Sequence, residues 1–168
     1  MYRKAYGGWL LLALLLVLQG CGFQLRSAAV WPPSLQPVAT DSVPQGRDFV
    51  LLLRRTLSEQ GVALDGVAAA RIVVLDEQHQ RKIQSLDEAG RVSVYQLDYQ
   101  VTLKLDDGAG KPLIEAQAYQ FQRSYAYDPE RALGHQWQEE QMIKRMRQQA
   151  VEHFMRRVAM GGLSGNAK

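Results

Sequence analysis

The stretch that decides the fold runs from Ser93 to Leu105, S-V-Y-Q-L-D-Y-Q-V-T-L-K-L. From Tyr95 onward, apolar and other residues alternate without a break. Tyr95, Leu97, Tyr99, Val101, Leu103 and Leu105 fall on one side; Gln96, Asp98, Gln100, Thr102 and Lys104 fall on the other. Successive side chains of an extended chain point to opposite faces, so this alternation predicts a long strand with one buried face and one open face. Before it, Leu86–Arg91 (LDEAGR) has turn chemistry around Gly90, and Arg71–Ile83 carries the dense apolar run Ile72-Val73-Val74-Leu75. After it, Asp106–Lys111 (DDGAGK) reads as a hairpin turn, and Leu113–Tyr125 as another strand. In that last segment Ile114, Ala116 and Ala118 oppose Tyr119, Phe121 and Tyr125. Apolar groups on both faces predict that part of the second face is also covered.

Two amphipathic segments flank these strands. In Asp48–Gln60, residues Phe49, Leu52, Leu53 and Leu57 have the spacing of one helical face, and Gly61 suits the stop. A longer helix is predicted from about Glu130 to Met160, with Asp128 as cap and Pro129 in the first turn. Its stripe is Met142, Met146, Ala150, Phe154 and Val158. A short first strand is expected over Leu35–Thr40, with Pro37 tolerated only at a sheet edge. Strands joined by short turns pair antiparallel, and two amphipathic helices need one sheet face to bury against. The expected architecture is an α+β two-layer sandwich: a mostly antiparallel four-stranded sheet with two helices packed on one face.

The N-terminus carries a different signal. Arg3 and Lys4 precede the apolar run Trp9–Leu18 (WLLLALLLVL), and Leu18-Gln19-Gly20-Cys21 follows. A bilayer-spanning helix needs about 20 apolar residues, so this run is too short to span and reads as a secretory signal. Leu18 and Gly20 before Cys21 resemble the lipobox of bacterial lipoproteins, although Gln19 is larger than the usual residue there. Cys21 is the sole cysteine and cannot form an internal disulfide. The alternative is an ordinary cleavage that leaves Cys21 as a free thiol. The expected organisation is a removed signal at 1–20, a lipidated tether at 21–34, an α+β domain at 35–160 and a flexible tail at 161–168. Gly22, in place of Asp, matches the sorting rule that releases enterobacterial lipoproteins to the outer membrane.

Composition excludes little else. The formal charge is +3, and losing Arg3 and Lys4 with the signal lowers it to +1. That balance gives no argument for nucleic acid as a partner. His79, His135 and His153 lack a second His or Cys at ligand spacing, so no metal site is predicted, and no catalytic motif is present. Glu139-Glu140 reads as solvated helix surface. The 18 glutamines concentrate in the strands and the last helix. They suit either a solvated face or a surface that hydrogen-bonds a partner without burying charge.

Three residue strings point to a family. Cys21-Gly22-Phe23-Gln24-Leu25-Arg26 resembles the C-G-[FW]-x-L-R opening of the outer-membrane lipopolysaccharide-assembly lipoproteins, the LptE (RlpB) family. Phe121-Gln122-Arg123-Ser124-Tyr125 with Asp128-Pro129 and Ala132-Leu133, and then Glu139-x-x-Met142-Ile143-x-x-Met146, follow in the family's order. The resemblance implies a non-catalytic plug lodged in the large outer-membrane β-barrel of the lipopolysaccharide exporter (LptD-type). Such a plug helps the barrel assemble and assists insertion of lipopolysaccharide into the outer leaflet. It implies export by the Sec pathway, anchoring in the outer membrane, and no cofactor beyond the acyl and diacylglycerol lipid on Cys21. The family carries basic residues near the hairpin tip and near the start of the last helix. On this chain those regions offer Lys82 and Arg91, with Arg81 beside them, and Arg123, Arg131 and His135 as candidates for lipopolysaccharide binding. Glu88 stands on the same tip. The residues alone also allow a lipoprotein accessory or pilot of another envelope transport or secretion machine.

Overall fold

The computed structural model describes residues 31–160 except Asp65, with 131–133 described by their backbone alone. The signal, Cys21 and the tail at 161–168 lie outside the described residues. In chain order come a single-turn 3-10 helix (Pro33–Leu35), strand β1 (Val38–Ser42), a second 3-10 turn (Pro44–Gly46) and helix α1 (Arg47–Glu59). Strands β2 (Ala70–Leu86), β3 (Val92–Asp107) and β4 (Pro112–Ala126) follow, then a 3-10 turn (Pro129–Arg131) and helix α2 (Ala132–Ala159). The four strands form one sheet in the order β1-β2-β3-β4. β1 runs parallel to β2, and the other pairs are antiparallel. The expected α+β sandwich is the observed one.

β1 is shifted from the expected Leu35–Thr40. Proline lacks an N–H for the ladder, so pairing starts after Pro37, at Val38 opposite Ala70. Leu35 instead closes the 3-10 turn and is buried. Trp31, in the segment read as tether, is also buried and donates from Nε1 to the Leu35 carbonyl at 3.3 Å.

β3 keeps its alternation. Leu97, Tyr99, Val101, Leu103 and Leu105 are all buried. Its two neighbours change phase. In β2 the buried side chains are Ala70, Ile72 and Val74, then Glu77. One extra residue falls between Val74, opposite Leu103, and Asp76, opposite Thr102. Leu75 faces outward by the alternation of Ile72 and Val74, and the bulge beside it brings Glu77 to the buried face. In β4 a second irregularity, between the partners of Leu103 and Leu105, brings both Ile114 and Tyr119 to the helix side. Ala116 and Ala118 are exposed. The mixed pattern of β4 therefore reflects a bulge, which shifts the alternation by one residue, and the expected cover over its second face is not present among the described residues.

The core lies between the helices and one sheet face. α1 buries Phe49, Leu53 and Leu57; α2 buries Met146, Ala150, Val151, Phe154, Met155 and Val158. Each large apolar side chain contributes roughly 1.5–3 kcal/mol on full burial. Gly46 allows the close approach at the start of α1: a Cβ there would meet Val74 Cγ1 at 2.7 Å.

One polar network sits in this core. Arg147 of α2 donates from Nε to Glu77 Oε1 at 2.7 Å, and the Tyr99 hydroxyl donates to the same oxygen at 3.0 Å. Asp48 of α1 stands 3.8 Å from Arg147 Nη2. The Glu77 side chain is only 3% exposed, and Arg147 is the cation it faces. Burial, with the Glu77 charge next, pushes the Tyr99 hydroxyl far above its ordinary range. Removing one partner of a buried ion pair strands the other charge and costs about 3–5 kcal/mol. Urea denaturation should show a loss of that size for Arg147→Met, and a much smaller one when Glu77→Leu is combined with it. Equal losses for the single and double variants would remove the pair from the account.

Candidate functional site

The β2–β3 hairpin extends past the core. From Gln78 to Leu86 every residue of β2 is exposed. The tip is built by Asp87, whose Oδ1 accepts from the backbone N–H of Ala89 at 2.9 Å and of Arg91 at 2.8 Å. Gly90 closes the turn at φ +76°, a conformation other residues rarely adopt. The Arg91 guanidinium folds back onto Asp87 Oδ2 at 2.9 Å. The Arg91 backbone N–H, the guanidinium and the Ala89 N–H together hold the Asp87 carboxyl below its ordinary range.

The candidate cations fall in different places. Lys82 lies on the helix-free face, paired with Asp98 at 2.6 Å. That contact, with the Gln96 amide at 2.6 Å, holds Asp98 below the usual carboxylate range. Arg123 lies on the helix side of the sheet and donates to Gln149 Oε1 at 2.9 Å. Arg131 ends the 3-10 turn ahead of α2. His135 is buried, with Nε2 at 2.9 Å from the Asp128 backbone and its ring 5.0 Å from Tyr127 and 5.9 Å from Tyr125. Lys82 and Arg91 share the hairpin, whereas Arg123 and His135 belong to the β4–α2 side. Lys82, Arg91, Arg123 and His135 do not converge on one pocket.

A cluster that sequence reasoning did not assemble joins the two regions. Arg81 sits with its guanidinium carbon 4.6 Å from the centre of the Tyr95 ring and donates to Glu139 of α2 at 2.9 Å. The Tyr125 hydroxyl also donates to Glu139. Tyr95 packs on Tyr125 and on Tyr127, at 5.9 and 5.0 Å between centroids. Glu139, expected on solvated surface, is thus a half-buried tie between α2 and the sheet, and only Glu140 is exposed. The strand register brings the cluster together: Arg81, Leu97 and Arg123 occupy one rung, with Tyr95 and Tyr125 on the next rung of the same face. Beside the cluster, Ile83 and Leu86 are exposed apolar groups on the hairpin, and Trp137 is exposed on α2. The hairpin thus carries Arg81, Lys82 and Arg91, each paired with a carboxylate, together with the exposed apolar groups Ile83 and Leu86.

No group of His, Cys, Asp and Glu that could hold a metal occurs among the described residues. The opposite face of the sheet carries a groove of about 280 Å³, half of whose lining residues are glutamines.

Fold and surfaces together define an α+β domain with both helices on one sheet face and a projecting hairpin on which Arg81, Lys82 and Arg91 are balanced by Asp87, Glu88 and Asp98. The chain belongs to the LptE family, described as lipopolysaccharide-assembly, whose model matches residues 34–158. That membership places it among envelope lipoproteins of lipopolysaccharide transport. In structure it is similar to lipoprotein B from Nitrosomonas europaea, with TM-score 0.68 and 25% identity over 86% of this chain and 94% of that one. Rare lipoprotein B from Shewanella oneidensis shares the fold at TM-score 0.62 and 22% identity, covering 76% of this chain and 93% of that one. A minor lipoprotein from Acinetobacter baumannii does so at TM-score 0.62 and 19% identity, covering 74% and 91%. No curated protein sequence matches the chain significantly.

The Tyr125–Glu139 contact has a measurable consequence. Burial, then the hydrogen bond to Glu139, pushes the Tyr125 hydroxyl up to about 12. A folded-state value above the unfolded one, near 10, means that the stabilisation is complete below pH 10 and is lost as pH rises through 12. Ultraviolet titration, with Tyr125→Phe assigning the signal, should find this group ionising near 12. Glu139→Ala should lower it. Ionisation at the ordinary tyrosine value in the folded protein would contradict the contact.

Proposed function

We propose that the protein is the lipid-anchored plug of the outer-membrane β-barrel that exports lipopolysaccharide. It helps that barrel assemble and assists insertion of lipopolysaccharide into the outer leaflet. The observation that carries the reading is the family match over 34–158, nearly the whole described domain. Its role is non-catalytic: it binds and positions. Export through the Sec pathway, cleavage before Cys21 and lipidation of that residue tether it to the outer membrane. Acyl chains supply roughly 0.8 kcal/mol per buried CH₂, so several chains hold the anchor firmly.

The domain's form supports the role. A plug needs a compact body and surfaces able to pair with a polar barrel lumen. The projecting hairpin supplies Lys82 and Arg91 for lipopolysaccharide phosphates, and Arg is suited to bidentate phosphate contacts. Arg123, Arg131 and His135 form the second candidate region, at the β4–α2 end. Lys82 and Arg91 each already hold a carboxylate. Lipopolysaccharide must therefore displace Asp98 or Asp87, or share the cation with it.

Tagged full-length protein, recovered from outer-membrane extracts in mild detergent, should bring down a large β-barrel identified by mass spectrometry as the lipopolysaccharide exporter. In the same preparation, Lys82→Asp with Arg91→Asp should reduce captured lipopolysaccharide while the circular-dichroism spectrum persists. Recovery without that barrel defeats the plug reading. Unchanged lipopolysaccharide capture removes the hairpin cations from it.

A further inference from the structure

The helix-free face of the sheet is organised at side-chain level. The strand register sets Gln78, Gln100 and Gln120 side by side in one rung, and Gln80, Asp98 and Gln122 in the next. Gln120 donates to Gln100 Oε1 at 2.7 Å, so neighbouring strands are linked through their amides. The single carboxylate in these rungs, Asp98, is neutralised by Lys82 at 2.6 Å and also takes the Gln96 amide. Lys104, further along the same strand, is paired with Asp106 at 2.6 Å. The face is thus polar and, at its centre, formally neutral.

Solubility alone does not call for this composition. A face that meets only water is served by unpaired Lys and Glu, whereas the cores of protein interfaces are depleted of Lys, Glu and Asp. Neutral amides can be desolvated against a partner at far lower cost than charges, provided they find donors and acceptors there. Apolar acyl chains would leave the amides unpaired, at about 1–3 kcal/mol for each buried group. An anionic partner covering this face would have to displace Asp98 from Lys82 and Asp106 from Lys104, and the amides between them would add no charge to hold it. The chemistry that fits is a protein surface that is polar, uncharged and broad enough to meet three strands.

We infer that this glutamine face is the contact surface for a polar, near-neutral wall of a protein partner, namely the lumen of the β-barrel of the proposed function. The inference rests on that reading and adds which side of the domain meets the wall. Helices and core then face away from this contact, and the hairpin projects beyond it.

A photoreactive amino acid placed at Gln100 or at Gln122 of the full-length lipoprotein, in cells, tests the assignment. Both positions should cross-link to the exporter barrel, identified by mass spectrometry. Gln100→Lys with Gln120→Lys should lower barrel recovery at least tenfold, with an unchanged circular-dichroism spectrum. If the unmodified protein recovers no barrel, both the inference and the proposed function fall. If it recovers the barrel, but Gln100 and Gln122 cross-link to lipopolysaccharide, to a second copy of the chain or to nothing, the face assignment alone is overturned. Undiminished recovery by a folded double-lysine variant overturns it as well. Gln100→Asn keeps the amide and should retain most of the recovery; loss equal to that of the lysine variant would show that the amide chemistry is not what the face contributes.

Discussion

The ion pair between Glu77 and Arg147 ties together, at one point inside their shared apolar core, the sheet and both helices. It links the middle of the sheet to the middle of the long helix, and Asp48 brings the short helix to the same guanidinium. The pair exists because β2 gains one residue after Val74. Without that bulge, unbroken alternation from Ala70, Ile72 and Val74 would turn Asp76 inward and Glu77 outward. The chain accepts the cost of burying charge and obtains a fixed seat for α2, whose own stripe of Met146, Ala150 and Phe154 could slide along an apolar face.

From that seat follows the division of the molecule. Helices cover one sheet face over the length they can reach, and the strands run on beyond them. The β2–β3 hairpin is left projecting, held to α2 by Arg81, Glu139 and Tyr125. The other sheet face stays open and is finished with amides rather than apolar groups. Family membership, the projecting hairpin and the open amide face are the observations behind the proposal of a domain that works by contact.

Much of this was legible in the residues. Unbroken alternation from Tyr95 to Leu105 identified the central strand, because β3 contains no bulge along that buried stretch that shifts its phase. The two helices followed from their stripes. What alternation could not show was the register. Bulges in β2 and β4 rest on one extra residue relative to a neighbouring strand, and a single sequence carries no record of the neighbour. The same gap concealed the site-level contacts. Arg81 and Glu139 are 58 residues apart, and Glu139 beside Glu140 read as surface until α2 was seated on the sheet. The candidate cations were chosen by sequence region, and space separates them by face. Family strings at Cys21–Arg26 and Glu139–Met146 carried the functional expectation further than charge or composition could.

The central claim is that this chain serves lipopolysaccharide transport to the cell surface. Depletion of the protein in its own cells, followed by quantification of surface lipopolysaccharide, tests this most directly. The account predicts that surface lipopolysaccharide falls as the protein is lost, while lipopolysaccharide accumulates inside the cell envelope, and that re-expression restores delivery. Normal surface delivery in fully depleted cells would contradict it.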